Sequence, residues 1–420
     1  MKTVINFFNN IRNKRYSLED IRYLVGCMFV FFLPFERFFS ELSLILLVIL
    51  AIIDLSLDKI KLIPKSIWIF QLVFLISLSG LFYTETELMK AGGFQIEKQM
   101  ALFIFPIIMP LSFSLTKQRV TLFLRVLTIS CALSLLYLLI NNFIISGYSY
   151  QELIQSSSSF NHSFSAPLNI HASYYASFIC LSAFYILDKY RTHKKFYLLL
   201  ILLLLSFGLF ILAARVILII FFIVAITHYL FYSKGIKQYI FALGLVALLA
   251  IIIFKVSPYI SQRFGEDLLT DIGLSISGEE KEPRIDRWHA SIDLISESPI
   301  IGHGTGSEVH LLKEKYWNRG LILSFYQGFN AHNQFLSILI KHGMVGVVLF
   351  SFSLFYFIRI AIRNKSFLYF SFLLLILVFF MVENVLDTNK GIFFFSFFNT
   401  VFGYYYLRQE KDKSKLTNSI

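Results

Sequence analysis

Residues 207–222 read FGLFILAARVILIIFF, in which a single charged residue, Arg215, separates two apolar runs. Apolar runs of about 16 to 25 residues, long enough as helices to cross about 30 Å of hydrocarbon, recur along most of the chain. Since 57% of the 420 residues are hydrophobic and only 15% are charged, the sequence is too apolar for a single soluble core. It therefore predicts an all-α integral membrane protein.

Hydropathy predicts about twelve transmembrane helices. They cover residues 22–39, 42–57, 66–83, 99–115, 120–146, 168–187, 196–214, 216–232, 238–256, 343–361, 367–382 and 391–407. We expect three parts: transmembrane helices at 1–256, a large outer loop with short amphipathic helices at 257–342, and further transmembrane helices with a cytoplasmic tail at 343–420. The amino terminus lacks the pattern of a cleaved signal, so the first span should stay attached.

The formal charge of +12 follows the topology. Lysine and arginine crowd the segments predicted to be cytoplasmic, whereas the short outer segments hold only Arg37, Lys90, Lys98 and Lys390. This asymmetry is the positive-inside rule, so it predicts membrane lipids and no nucleic acid as partners. The three cysteines, Cys27, Cys131 and Cys180, fall within apolar spans and are expected to be packing residues.

The loop at 257–342 is the only hydrophilic insertion large enough for a small domain. Its stretch PRIDRWHASIDLISESPIIGHGTG predicts an amphipathic helix, with Pro283 in the first turn. The predicted apolar stripe is Ile285, Trp288, Ile292 and Ile295. Arg284 shares a face with Trp288, four residues on, and Arg287 flanks it.

The loop ends with FNAHNQFLSILIKHGMVG, residues 329–346. Asn330 is a possible cap for a short interfacial helix that ends at Gly343, and Gly346 permits close approach as the chain turns into the membrane. His332 is expected in the first turn, where the positive end of the helix dipole disfavours imidazolium and favours a neutral base. The alternative is an interfacial histidine that only hydrogen-bonds a loop carbonyl.

Arg215 either caps a tight outer turn or lies within the bilayer, and in both cases it needs a partner. It meets a phosphate-bearing ligand, or it snorkels to lipid phosphate. Glu383 and Asp387, four residues apart after the eleventh span, either form a structural ion pair or orient a base.

These motifs resemble the signature of the O-antigen ligase and polymerase superfamily. His332-Asn333 is followed after nine residues by Gly343 and after two more by Gly346. RIDRW at 284–288, SPIIGHG at 298–304, AAR at 213–215 and HASY at 171–174 are also similar to family motifs. Of the two loop arginines, only Arg284 has the family spacing to Trp288.

The resemblance implies a GT-C-like glycosyltransferase in the bacterial inner membrane, multi-pass, with its active site facing the periplasm. Such enzymes take a glycan from undecaprenyl diphosphate and invert the sugar linkage without a cofactor or a metal. Ligases use the lipid A core as acceptor, whereas polymerases use another lipid-linked glycan. By resemblance the catalytic residues are His332, Arg215 and Arg284; the substrate-binding residues are Arg287, Asn333, Trp288 and His171; and Gly343 and Gly346 form a structural motif.

We expect a ligase in preference to a polymerase, because one long loop late in the chain, with the histidine motif at its end, is more typical of ligases. A lipid-linked sugar transporter is the alternative from another class. Transporters usually carry paired charges near the midplane and two related halves, and neither is visible in this sequence. Tyr316, Trp317 and Tyr326 in the long loop could stack on sugars.

Overall fold

A computed structural model describes residues 17–53, 55–145, 147, 149, 153, 157–231, 236–271 and 282–417, and within these residues the chain forms helices and no strands. The α-helices are α1 (Leu18–Phe32), α2 (Arg37–Ile53), α3 (Leu57–Ile60), α4 (Ile67–Gly80), α5 (Met89–Ser112), α6 (Lys117–Ile145), α7 (Asn161–Ser165), α8 (Ala172–His193), α9 (Phe196–Ile211), α10 (Arg215–Phe231), α11 (Ile236–Val256), α12 (Pro258–Phe264), α13 (Glu266–Asp271), α14 (Arg284–Glu297), α15 (Glu308–Asn318), α16 (Ile322–Gln327), α17 (Gln334–Arg363), α18 (Phe367–Phe380) and α19 (Asn389–Thr417). Five 3₁₀ turns add Leu81–Tyr83, Thr86–Leu88, Ser157–Ser159, Ala166–Leu168 and Val385–Asp387.

Each predicted span overlaps a helix, and the chain is all-helical where it is described. By length and composition, three helical segments of the described chain can cross a membrane: Thr86–Ser112, Lys117–Ile145 and Gln334–Arg363. Two further pairs of helices qualify if each bent pair counts as one span. The count of about twelve spans and the GT-C likeness stay predictions. The basic residues between Lys2 and Arg15 lie outside the described residues.

Two predicted span boundaries are wrong. The first predicted span, 22–39, is two helices, because α1 ends before Pro34 and α2 begins at Arg37. The fourth begins ten residues earlier than predicted, since α5 runs back through the polar stretch that was expected to be a loop. Its Gln95 and Gln99 hydrogen-bond Asp387 and the Leu386 carbonyl, which explains polar residues in a packed helix.

The helix α8 forms the centre of the main core. Sixteen of its residues are buried, and the hydroxyls of Ser177 and Ser182 donate hydrogen bonds to backbone carbonyls of the preceding turn. Buried Phe29 packs against Phe105 and Phe397 at ring-centroid distances of 4.9 and 5.1 Å. Cys27, Cys131 and Cys180 are buried and free, as predicted.

A second, smaller core lies within the outer loop. It is formed by Ala290, Leu294, Leu312, Tyr316, Leu321, Ala331 and Ile340. The predicted apolar stripe of α14 is therefore wrong: Ile285 and Ile292 are exposed, whereas Arg287, Ala290, Ser291 and Leu294 face inward. The small side chains of Ala290 and Ser291 are both completely buried there. Pro283 precedes the helix as its N-cap instead of occupying the first turn.

The break predicted at Gly343 is confirmed. Gly343 interrupts α17 with φ 58° and ψ −161°, so the helix divides into a piece before it, which is predicted to lie on the outer side and is called the outer piece, and a piece after it. The loop after α14 pairs with the opened backbone: His303 and Gly304 donate to the carbonyls of Ile340 and Lys341, while Met344 donates to the carbonyl of Pro299. The loop motif and the helix break thus form one unit.

Candidate functional site

His332 lies immediately before the outer piece of α17, and its backbone adopts the left-handed conformation with φ 46°. The helix begins at Gln334, and its N-cap is Asn333, whose side chain accepts from the N–H groups of Phe335 and Leu336. The predictions that His332 occupies the first turn and that Asn330 caps the helix are both wrong. Asn330 instead accepts the N–H of His332 at 2.9 Å. A non-glycine residue in this backbone region is uncommon and is held there by its surroundings.

The imidazole of His332 pairs with the carboxylate of Glu383, at 3.2 Å between Nδ1 and Oε2. Burial alone would raise the pKa of Glu383, but the hydrogen bond from His332 and the charges of His332, His171 and Arg284 lower it. Glu383 is therefore ionised at neutral pH and can only accept. Nδ1 of His332 must donate to it, which leaves Nε2 of the neutral ring as a basic nitrogen. The His332 side chain is 23% exposed, so a ligand can reach it.

Glu383 and Asp387 do not share a helix face, because α18 ends at Phe380 and only a 3₁₀ turn follows. They have separate roles. Glu383 hydrogen-bonds His332, whereas both carboxylate oxygens of Asp387 accept from Nζ of Lys341, at 2.9 and 3.0 Å. Glu383 thus contacts the histidine expected to be the base, whereas Asp387 forms an ion pair with a lysine.

A buried glutamate, Glu308 of α15, contacts the residues next to His332 and next to Glu383. Its Oε1 accepts the N–H of Ala331 at 3.0 Å and the amide of Asn384 at 2.8 Å, one residue away from His332 and from Glu383 respectively. Its Oε2 lies 3.4 Å from Nζ of Lys341. Asn384 in turn accepts the N–H of Asn333 at 2.9 Å. Glu308 therefore holds the backbone next to His332 and the side chain next to Glu383.

Trp288 and Arg287 of α14 support the same segment from the loop side. The indole N–H of Trp288 donates to the carbonyl of Ala331 at 3.1 Å. Arg287 is buried, and its guanidinium lies 5.3 Å from the ring centroid of Phe329, which packs edge-on against His332. Both residues, which the resemblance implies to be substrate-binding, contact the segment that carries His332, and their substrate contacts stay a prediction.

Arg284, at the start of α14, is partly accessible and close enough to lower the pKa of both Glu383 and His171. It is therefore the loop arginine that faces this group, whereas Arg287 packs beneath it. The register that gives Arg284 the family spacing to Trp288 is consistent with this division.

Arg215 directly follows a tight turn. The chain reverses through Ala213, which has φ 45°, and α10 begins at Arg215. The tight turn that one of the two alternatives expects is present, and the position of Arg215 relative to the bilayer stays a prediction. Its Nη1 donates to the carbonyl of Arg263 at 3.1 Å, and Arg263 pairs with Asp267 at 3.4 Å. Arg263 also lowers the pKa of His171, so Arg215 connects to the site through Arg263.

His171 is the N-cap of α8, and its ring centroid lies 3.9 Å from that of His162. Desolvation lowers the pKa of His171, Glu383 raises it, and His332, Arg284 and Arg263 lower it. These effects place His162, His171, His332, Arg284 and Glu383 in one electrostatic group. The group lies where the ends of α8, α14, α17 and α18 meet. Among the residues that the structure describes, no three histidine, cysteine or acidic side chains form a metal-binding group.

The glycines of the motif are required by close approach. A Cβ at Gly343 would collide with the backbone of Ile300, and one at Gly346 would collide with the side chain of His342. Glycine is the residue that tolerates both the positive φ at position 343 and this contact.

Sequence reasoning missed Glu308, Asn384 and Arg263 as contributors to the site. Glu308 occupies an ordinary amphipathic helix, and its partners are 23 and 76 residues away along the chain. The property that distinguishes Glu308 is the burial of its carboxylate, and burial cannot be recognised from a local sequence pattern.

Comparison with known families and proteins gives one result that bears on this site. Residues 200–351 match the family model described as O-Antigen ligase, which confirms the resemblance seen in the sequence. The matched segment contains Arg215, Arg284 and His332 and runs through both motif glycines. His171 and Glu383 lie outside it. No curated protein matches the chain.

Proposed function

We propose that this chain, which carries an O-antigen ligase family segment at residues 200–351, is a ligase-type glycosyltransferase of the bacterial inner membrane. It moves a glycan from undecaprenyl diphosphate to a lipid A-core acceptor at the periplasmic face. The observation that carries the proposal is the contact between His332 and ionised Glu383, which presents a basic Nε2 beside Arg284.

The reaction is a single displacement at the anomeric carbon. Nε2 of His332 takes the proton of the acceptor hydroxyl as its oxygen attacks. The new carbon–oxygen bond forms on the face opposite the diphosphate, and the bond to the diphosphate breaks with its electron pair, so the configuration inverts. Glu383 stabilises the imidazolium that forms, as a carboxylate does for a histidine base in other enzymes.

Negative charge develops on the leaving diphosphate, and fixed cations beside it lower the barrier. Arg284 supplies such a charge at the group around Glu383. Arg215 is connected to the same region through Arg263, because the guanidinium of Arg215 donates to the carbonyl of Arg263. The donor is already activated by its diphosphate, so the proposed chemistry needs neither a nucleotide nor a metal.

The test replaces Arg215, Arg284 and His332 by alanine, one at a time, in a strain that lacks the native gene. His289→Ala is the matched control, because His289 lies on the same loop helix as Arg284 with an exposed side chain. Surface glycan is resolved on gels while the membrane abundance of each variant is monitored.

The ligase proposal expects all lipid A core to stay unsubstituted in the three variants, with long undecaprenyl-linked chains accumulating at normal protein abundance. Core carrying single repeat units without long chains would instead identify a polymerase. Unchanged banding in all three variants would refute the assigned site.

A further inference from the structure

Two imidazoles cover the first free N–H groups of α8. The N–H of Ala172 donates to Nδ1 of His162 at 3.3 Å, and the N–H of Ser173 donates to Nδ1 of His171 at 3.4 Å. The two rings lie 3.9 Å apart between centroids, tilted by 48°. His162 comes from α7 and His171 from the turn before α8, and the helical segment Asn161–Leu168 meets α8 at a bend of 81°.

These contacts fix the tautomer of both rings. A nitrogen that accepts from a backbone N–H cannot itself carry a proton, so the neutral ring of each histidine carries its hydrogen on Nε2. This is the opposite of His332, whose Nδ1 donates to Glu383. The site therefore combines one imidazole that offers a base with two that offer N–H donors.

The two Nε2–H groups are available to a ligand. Both residues keep solvent-accessible surface, although neighbouring groups partly desolvate their rings, and neither Nε2 forms a hydrogen bond with any residue in the described part of the chain. Desolvation, followed by the charges of His171 and Arg263, lowers the pKa of His162 to about 4, and only Glu383 opposes this. His162 is thus neutral at neutral pH and remains a donor without becoming a cation.

The surroundings favour an anionic acceptor. Arg263 and Arg284 act on this pair, and the dipole of α8 is positive at the end that the rings cover. The one carboxylate that acts on both rings, Glu383, is already engaged by His332. An oxygen that carries partial negative charge, such as a phosphoryl oxygen, matches both the donors and this field.

We propose that His162 is a further substrate-binding residue, which forms with His171 a pair of neutral donors for phosphoryl oxygens of the lipid-linked diphosphate. This inference rests on the proposed function, since it names a second contact for the same donor. The neutral rings add hydrogen bonds to the diphosphate without adding to the charge that Arg284 supplies.

Two substitutions of His162 separate ligand binding from capping. His162→Asn keeps an acceptor near the position of Nδ1 for the Ala172 N–H, but it cannot reach the position of Nε2. His162→Gln places an amide N–H near the position of Nε2, but it loses the cap. His289→Ala is the control, as an exposed histidine on the neighbouring loop helix.

The measurement is the dissociation constant of farnesyl diphosphate for the purified full chain in detergent, with farnesyl monophosphate as the comparison ligand. Thermal unfolding of each variant is recorded in parallel. Loss of a hydrogen bond to a charged acceptor should raise the dissociation constant of His162→Asn for the diphosphate about tenfold or more. The increase should be smaller for His162→Gln, and His289→Ala should show none. The tenfold loss should hold at pH 6 and at pH 8, because a neutral donor does not titrate in that range.

Diphosphate binding by His162→Asn equal to wild type would overturn the inference. So would a loss in His162→Gln that exceeds the loss in His162→Asn and follows its thermal stability, since this order indicates a structural cap. If wild type binds neither farnesyl ligand, the donor site of the proposed function fails as well. If wild type binds and only the order of the variants is wrong, the role of His162 alone fails.

Discussion

Replacing Glu383 by glutamine keeps the shape of the side chain and removes the charge that orients His332. The carboxylate lies 3.2 Å from Nδ1 and its side chain is 10% exposed, so the contact is a largely buried, charge-assisted hydrogen bond. Such bonds contribute about 1.5 to 3 kcal/mol, which corresponds to roughly 10- to 150-fold in rate if the stabilisation is fully expressed on the imidazolium in the transition state.

We therefore expect Glu383→Gln to lower kcat by about 10- to 150-fold with little change in KM. His332→Ala should lower kcat by about 10²- to 10⁴-fold, the usual contribution of a general base. Because Glu383 acts through His332, the double variant should be no slower than His332→Ala alone. The assay is transfer of labelled glycan in proteoliposomes under saturating donor, with Glu314→Gln, an exposed glutamate of α15, as the control.

Additive losses in the double variant would refute this reasoning, because they would mean that Glu383 contributes independently of the histidine. A Glu383→Gln variant with unchanged kcat would refute the assignment of Glu383 as the orienting group.

Three further outcomes follow from the same contacts. Gly343→Ala should lower the thermal unfolding temperature, since a left-handed backbone costs about 1 to 3 kcal/mol and the new Cβ meets the backbone of Ile300; an unfolding temperature equal to wild type would contradict this. Glu308→Gln should destabilise the protein by about 1 to 3 kcal/mol, because an amide group replaces an acceptor beside Lys341, and it should slow transfer as well; loss of stability with normal transfer would show that Glu308 does not position the site. The pKa of His162 is lowered from 6.5 to about 4, so the unfolded chain binds more protons than the folded chain between these pH values. The free energy of unfolding should therefore fall as the pH drops from 6.5 to about 4, and the slope of unfolding temperature against pH should be shallower in His162→Gln. An unchanged slope in this variant would contradict a neutral His162 ring.

Features with a local physical cause could be predicted from the sequence. The break at Gly343 follows from glycine after a basic last turn, and the tight turn at Arg215 follows from a charge between two apolar runs. Apolar runs also placed a helix at each predicted span. The broken first span was missed although Pro34 marks it, because Phe35, Phe38 and Phe39 resume the apolar character around the charged pair Glu36-Arg37.

Features that depend on distant pairing could not be predicted in this way. The buried face of α14 is determined by packing against α15 and the outer piece of α17, and small residues occupy it in place of the isoleucines. The left-handed conformation of His332 depends on Asn330, Glu308 and Trp288 together. No local pattern links these residues.

The most direct test of the central claim is transfer by the purified chain in proteoliposomes, with undecaprenyl-diphosphate-linked labelled glycan as donor and lipid A core as acceptor. The proposed function predicts that the label moves to lipid A core in wild type and stays on the donor with His332→Ala. Label that remains on undecaprenyl diphosphate in wild type, or that lengthens into lipid-linked polymer without reaching the core, would contradict the ligase assignment.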